Sequence, residues 1–259
     1  MIKDLVKMVD GYISARGLPS IDIELALSDN LFESRLNFSA DNQRDHILEN
    51  KDTIESSNGT VAWPEFIDGK YYIIVSKSYI DRCIREGGVD YLETMYHELQ
   101  HAFDHKRYLE LINSNEFASV PKRHDYDIFT QWTEFNASRW GCLGLWKYAY
   151  GEIYTSQCVA DHIVNIIFPN SIENWVIGYS STSDAKQQLY VTMRFLGRLK
   201  ALKDLYPEIF SNDYVCKIFD TNIWAYNLFI FLDEKNTLDS SFLSFDKLRD
   251  ILKSNWTFA

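Results

Sequence analysis

Residues 97–101 read His97-Glu98-Leu99-Gln100-His101, a stretch that no ordinary packing requirement explains. Residues four apart in an α-helix lie one above the other on the same face, so the two histidines can reach a single metal ion. The carboxylate of Glu98 projects sideways from them, toward the fourth coordination position. The pattern therefore predicts a helix that carries two zinc ligands and an acid/base group.

The flanking residues predict that this motif lies in the middle of a helix. Gly87-Gly88 is a pair of helix breakers, and Asp90 with Glu93 three residues later resembles a capping box. Apolar residues then recur at intervals of three and four, as in an amphipathic helix: Leu92, Met95, Tyr96, Leu99, Ala102 and Phe103. We expect a helix that begins near Asp90.

A catalytic zinc normally has three protein ligands and a water, so a third ligand must come from elsewhere in the chain. Asp104 and Arg107 occupy the positions where the metzincin class holds a glycine and a His or Asp, which argues against that class. A helical segment is predicted from about residue 127 to residue 148, with bulky residues on one side. Glu134 in this segment is the predicted third ligand, and the alternatives are Asp104, His124, Asp125 and Glu110.

The motif and the downstream Glu134-Phe135-Asn136-Ala137 together resemble the gluzincins, zinc peptidases whose third ligand is a Glu on a second helix packed against the first. The Glu-x-x-Ala helix is similar to that of the small ImmA/IrrE-type metallopeptidases. The form His-Glu-x-x-His-Ala-x-Asp is similar to that of the anthrax lethal-factor-type peptidases. The resemblance covers residues 87–148 and does not choose between these branches.

This resemblance implies an α+β fold with a zincin-like metallopeptidase core, in which a small mixed or antiparallel sheet accompanies the active-site helix and the Glu-bearing helix. It also implies a zinc-dependent metallopeptidase, an endopeptidase that acts on a peptide or protein substrate. In such an enzyme Glu98 takes a proton from the metal-activated water and passes it to the departing amine.

Several residues around the ligands are candidates for supporting roles. Thermolysin-like gluzincins place an Asp four residues after the ligand Glu, whereas this chain has Ser138 there. Asp104 lies on the helical face of the two histidines and is a candidate to orient one of them, or else a solvated or salt-bridged helix residue. His105 is expected at the surface or rim of the site. Candidate oxyanion donors, which the sequence does not rank, are Tyr108, His124 and Tyr126.

Strands are predicted before the motif and helices after it. Residues 21–27 alternate like a strand, and residues 60–66 and 71–75 form a predicted hairpin around Asp68-Gly69. Pro64 in the first arm favours a sheet edge, which either binds an extended substrate or only covers the helix. Helices are predicted at 184–206, at 223–232 and from Ser244 to 252, and His162 is read as an ordinary core or surface residue. We expect a zincin-like catalytic region at 1–150 and a mainly helical region at 151–259 packed on it.

Composition limits the partners. The net charge is −11 and the chain has no long cluster of Lys and Arg, so nucleic acid is an unsuitable partner. The N-terminus lacks the apolar core of a signal peptide and no stretch is long enough to span a membrane. We therefore expect a cytoplasmic protein without a membrane partner, although a dedicated export system is compatible with this sequence. The four cysteines have no metal-ligand spacing and are expected to be reduced.

Two hypotheses of function follow from the motif. The first is a zinc endopeptidase. The alternative is a non-catalytic metal-binding or regulatory interaction module that keeps the same pair of helices. Glu98 favours the first, because a purely structural metal site has no need for a general base beside it.

Overall fold

A computed structural model describes residues 2–38, 44–45, 48–49, 51, 62–67, 70–114, 125–149, 151–219, 222–235, 237–238 and 246–253. The chain divides into two compact units, Met1–Phe103 and Asp104–Ala259, and the division falls inside one continuous helix, Asp90–Leu111. The functional division near residue 150 that the sequence suggests is a different partition and stays a prediction. The architecture is α+β, with far more helix than strand.

The first unit contains a small mixed sheet. Its described elements are α1 (Ile2–Ala15), β1 (Ile23–Ser28), α2 (Leu31–Phe38), β2 (Ala62–Ile67), β3 (Lys70–Ser76), α3 (Lys77–Arg85) and the first part of α4 (Asp90–Leu111). The strand order is β1-β3-β2, with β1 parallel and β2 antiparallel to β3. The predicted hairpin arms are thus confirmed, while its turn lies outside the described residues.

The central strand β3 is buried on both of its faces. Successive side chains of a strand point to opposite faces of the sheet, and Ile73, Ile74 and Val75 are all almost fully buried. Pro64 lies opposite Ile73 in β2, an edge strand, where a residue without an N–H is tolerated. Among the described strands β2 lies at the sheet edge, as the prediction from Pro64 requires.

Local signals place the start of α4 as predicted. Ser76 ends β3 and caps α3, because its side chain accepts a hydrogen bond from the backbone N–H of Tyr79 at 3.3 Å. Gly87 has φ of 73°, a left-handed conformation that favours glycine and stops α3. Helix α4 then begins at Asp90.

Helix α1 supports the first part of α4 within this unit. Tyr12 stacks on Tyr96 with ring centroids 4.6 Å apart. Arg16 donates a hydrogen bond to Oε1 of the buried Gln100, inside the His-Glu-Leu-Gln-His motif. The side of α4 that carries Tyr96 and Gln100 is thereby fixed to α1.

The described part of the second unit is helical, as predicted. After the last turns of α4 it contains α5 (Tyr126–Gly144), a π-helical turn (Leu145–Ala149), a 3-10 turn (Gly151–Thr155), α6 (Gln157–His162), a second π-helical turn (Ile163–Ile167), α7 (Phe168–Ser180), α8 (Ala185–Leu205), α9 (Asn212–Ile218), α10 (Ile223–Glu234) and α11 (Asp246–Lys253). Ser244, the predicted cap of α11, lies outside the described residues. None of the described helices is both long enough and apolar enough to cross a membrane.

Helices α5 and α8 pack side by side and run in the same direction. Their contacts advance together along both helices: Asp127 with Lys186, Gly197 with Phe135 and Ser138, and Arg139 with Asp204. The approach is closest at Gly197, where an added Cβ would lie 2.8 Å from Cβ of Ser138 and closer still to the carbonyl oxygen of Phe135. Only glycine permits this distance between the two backbones.

A network of charged residues holds the far end of this helix pair. Arg139 and Lys200 both contact Asp204 at 2.7 Å, and Lys200 also contacts Asp233 of α10 at 2.7 Å. Lys203 completes the network with a further contact to Asp233. Burial raises the pKa of Asp233, but the hydrogen bonds and charges of the two lysines outweigh it and hold that pKa below its ordinary value.

Candidate metal centre

The two motif histidines converge on one point. His97 and His101 are both buried, 7% and 6% exposed, and their Nε2 atoms lie 3.0 Å apart with the rings nearly perpendicular, at 82°. Two nitrogens that each lie about 2.05 Å from one tetrahedral zinc are roughly 3.3 Å apart. The spacing of the two imidazoles therefore suits a shared metal ion.

Glu134 brings a carboxylate to the same point. One ligand atom from each of His97, His101 and Glu134 lies within 4.8 Å of the others. Within the described residues this is the group of histidine, cysteine and carboxylate side chains that could hold a metal ion. Oε2 of Glu134 is buried, while the residue as a whole is partly exposed. The structure thus brings together the three ligands predicted from the sequence.

The alternative ligands have other contacts. Asp104 accepts hydrogen bonds from α5, and Asp125 accepts one from Tyr108 at 2.6 Å. Glu110 is exposed and pairs with Lys106 and Arg107 at 3.0 and 3.2 Å, which lowers its pKa. His124 lies outside the described residues.

The donor set fits a catalytic zinc better than a structural one. Two imidazole nitrogens and one carboxylate are a known catalytic combination, and they leave a fourth position for water or substrate. Glu98 is partly buried on the same helix, directly after His97. Its role as the proton acceptor stays a prediction.

Asp104 joins α4 to α5. It is only 5% exposed, and its carboxylate accepts a hydrogen bond from Oγ1 of Thr133 at 2.8 Å and from Nδ2 of Asn136 at 2.9 and 3.0 Å. Its predicted role of orienting a histidine stays a prediction. Sequence reasoning did not single out the donors Thr133 and Asn136. Polar residues among the bulky side chains of α5 could have indicated that they bind a buried polar partner.

Arg194 of α8 supplies positive charge near Glu134. It donates a hydrogen bond to the hydroxyl of Tyr190 at 3.1 Å. Burial lowers the pKa of Arg194, but the charges of Tyr190 and Glu134 more than compensate and raise it. Sequence reasoning missed Arg194, because nothing in its own helix indicates which partner that helix packs against.

The predicted oxyanion donors differ in their surroundings. Tyr108 is fully buried, stacks on Phe129 at 4.1 Å and donates its hydroxyl proton to Asp125. Tyr126 is partly buried; burial first, and then the charge of Asp127, raises its pKa, so its hydroxyl keeps its proton at neutral pH. The ring of His105 is partly buried and lies 5.3 Å from that of Phe129.

No protein family, curated protein or solved structure gives a significant match to this chain. The function of the centre must therefore be inferred from its own geometry and chemistry.

Proposed function

We propose that this chain is a zinc-dependent metallopeptidase. The observation that carries the proposal is the convergence of His97, His101 and Glu134 within 4.8 Å, with Glu98 next to the first ligand. The choice of a peptide bond as substrate rests on the gluzincin-like pattern of residues 87–148.

Each residue has a separate task in this proposal. His97, His101 and Glu134 hold the ion, and zinc bound there would act as a Lewis acid and make water acidic enough to lose a proton near neutral pH. Glu98 accepts that proton and delivers it to the amine nitrogen as the peptide bond breaks. Arg194 places a positive charge near Glu134, whose carboxylate would be the metal-binding group.

Zinc content and cleavage test the proposal separately. Wild-type protein purified without chelator should contain about one zinc per chain by native mass spectrometry, and Glu134→Ala should lose most of it. Cleavage should be sought with a peptide library read by mass spectrometry, because a selective peptidase need not act on a generic substrate. Glu98→Gln should retain zinc and lose cleavage.

Glu110→Gln is the matched control, since it makes the same change on the exposed face of the same helix. It should alter neither zinc content nor cleavage. Undiminished cleavage by Glu98→Gln would contradict the assigned role of Glu98. A wild-type chain that binds zinc but cleaves nothing in the library would instead favour a non-catalytic metal-binding or regulatory module.

A further inference from the structure

Asp104 contacts α5 on both sides of the candidate ligand Glu134. Thr133 directly precedes Glu134 and Asn136 follows it by two residues, and both donate to the same buried carboxylate. Thr133 and Asn136 are three residues apart, so they share one face of α5. That face is held against Asp104, and Glu134, the residue after Thr133, projects about 100° around the helix axis from Thr133.

The position of Asp104 on α4 relates this contact to the histidines. Asp104 lies three residues after His101 and seven after His97, on the same face of one continuous helix. A carboxylate that fixes the rotation of α5 here also fixes the direction in which Glu134 points. The distance of 4.8 Å among the three candidate ligand atoms is consistent with that direction.

The side-chain amide of Asn136 is oriented toward the carboxylate of Asp104. Both amino contacts of Asn136 go to Asp104, while its Oδ1 is buried without a hydrogen-bond partner among the described residues. A buried amide normally satisfies both ends. Here the amino group donates to the carboxylate even though the carbonyl oxygen of the same amide has no hydrogen bond among the described residues.

We propose that Asp104 is the positioning residue of the third metal ligand: by accepting from Thr133 and Asn136 it holds Glu134 in place for the ion. This inference rests on the proposed function, since it assumes that the three side chains bind zinc. It differs from a role in orienting a histidine, because its effect must pass through Glu134.

A double-mutant cycle on zinc affinity tests whether Asp104 acts through Glu134. Asp104→Asn keeps the shape but replaces one of the two acceptor oxygens by an amino group and removes the negative charge, so Thr133 and Asn136 can no longer both donate as they do to the carboxylate. Zinc affinity, measured by competition with a chromogenic chelator, should fall about 10–100-fold, the usual effect of losing a partner that supports a ligand. In the Glu134→Ala background the same substitution should change affinity by less than about twofold, because the ligand it positions is already absent.

Asp125→Asn is the matched control. Asp125 is also buried and also contacts α4, through Tyr108, but lies nine residues before Glu134. It should leave zinc affinity within about twofold of wild type. If Asp104→Asn does not fold, Thr133→Val and Asn136→Leu remove the two donors one at a time, and each should weaken zinc binding only when Glu134 is present.

The outcomes separate the inference from the function it rests on. A wild-type chain that binds no zinc would overturn both. Normal zinc affinity in Asp104→Asn, or an equal loss with and without Glu134, would overturn the inference and leave the metal site standing.

Discussion

Replacing Gly197 by alanine should destabilise the protein, although alanine is the better helix former. The added Cβ would lie 3.0 Å from the backbone nitrogen of Arg139, 2.8 Å from Cβ of Ser138 and still closer to the carbonyl oxygen of Phe135. Two of these three atoms belong to the backbone, so no side-chain rotation relieves the overlap and α5 must shift. Overpacking costs about 1–3 kcal/mol and alanine in a helix returns about 1 kcal/mol, so with little room to relax we expect a net loss of about 2 kcal/mol.

Urea denaturation followed by circular dichroism measures this loss directly. Gly178→Ala is the matched control, because its Cβ would lie 3.6 Å from a methyl group of Val191, an ordinary contact. It should be neutral or stabilising by up to about 1 kcal/mol. A Gly197→Ala protein with an unfolding free energy equal to or above that of wild type would refute the close approach of the two backbones.

Two further predictions concern buried polar contacts. Tyr108→Phe removes the hydrogen bond to the buried Asp125 and should cost about 1–3 kcal/mol in urea denaturation while leaving peptide cleavage intact. A hundredfold loss of cleavage would instead support the predicted role of Tyr108 as an oxyanion donor. Asp233→Asn should lower stability at pH 7. Because the folded pKa of Asp233 is depressed by Lys200 and Lys203, its contribution is present above the unfolded pKa of about 3.9 and is lost as the pH falls through the folded value. The difference from wild type should therefore shrink in acid, and a constant difference would contradict the ion-pair network.

The elements near the motif were predictable because their signals are local. The breakers at Gly87-Gly88 and the acidic residues Asp90 and Glu93 indicate the start of α4, and the fixed helical spacing is enough to bring His97 and His101 together. Glu134 could be chosen because its segment reads as a helix. The resemblance to the gluzincins then supplied its role as a ligand.

The rest depends on contacts between distant parts of the chain. The alternating pattern of β1 indicates a strand but not its parallel pairing with β3, since periodicity carries no information about the partner. The donors to Asp104, Thr133 and Asn136, lie 29 and 32 residues further along the chain, and the sequence does not show that the connection between them brings α5 back to α4. In the sequence alone, Gly197 is only a residue that weakens a helix. The structure explains it, because α5 packs so closely against Gly197 that a side chain would not fit.

The shared direction of α5 and α8 has an electrostatic consequence. Each helix carries partial positive charge at its N-terminus and partial negative charge at its C-terminus, so two helices that run together place like ends side by side. The close approach at Gly197 brings these dipoles near one another. Acidic residues at the positive ends, Asp127 and the N-cap Asp184, and Lys203 in the last turn of α8 oppose that repulsion. Charged residues at three of the four ends thus offset part of this repulsion, while the last turn of α5 carries no basic residue.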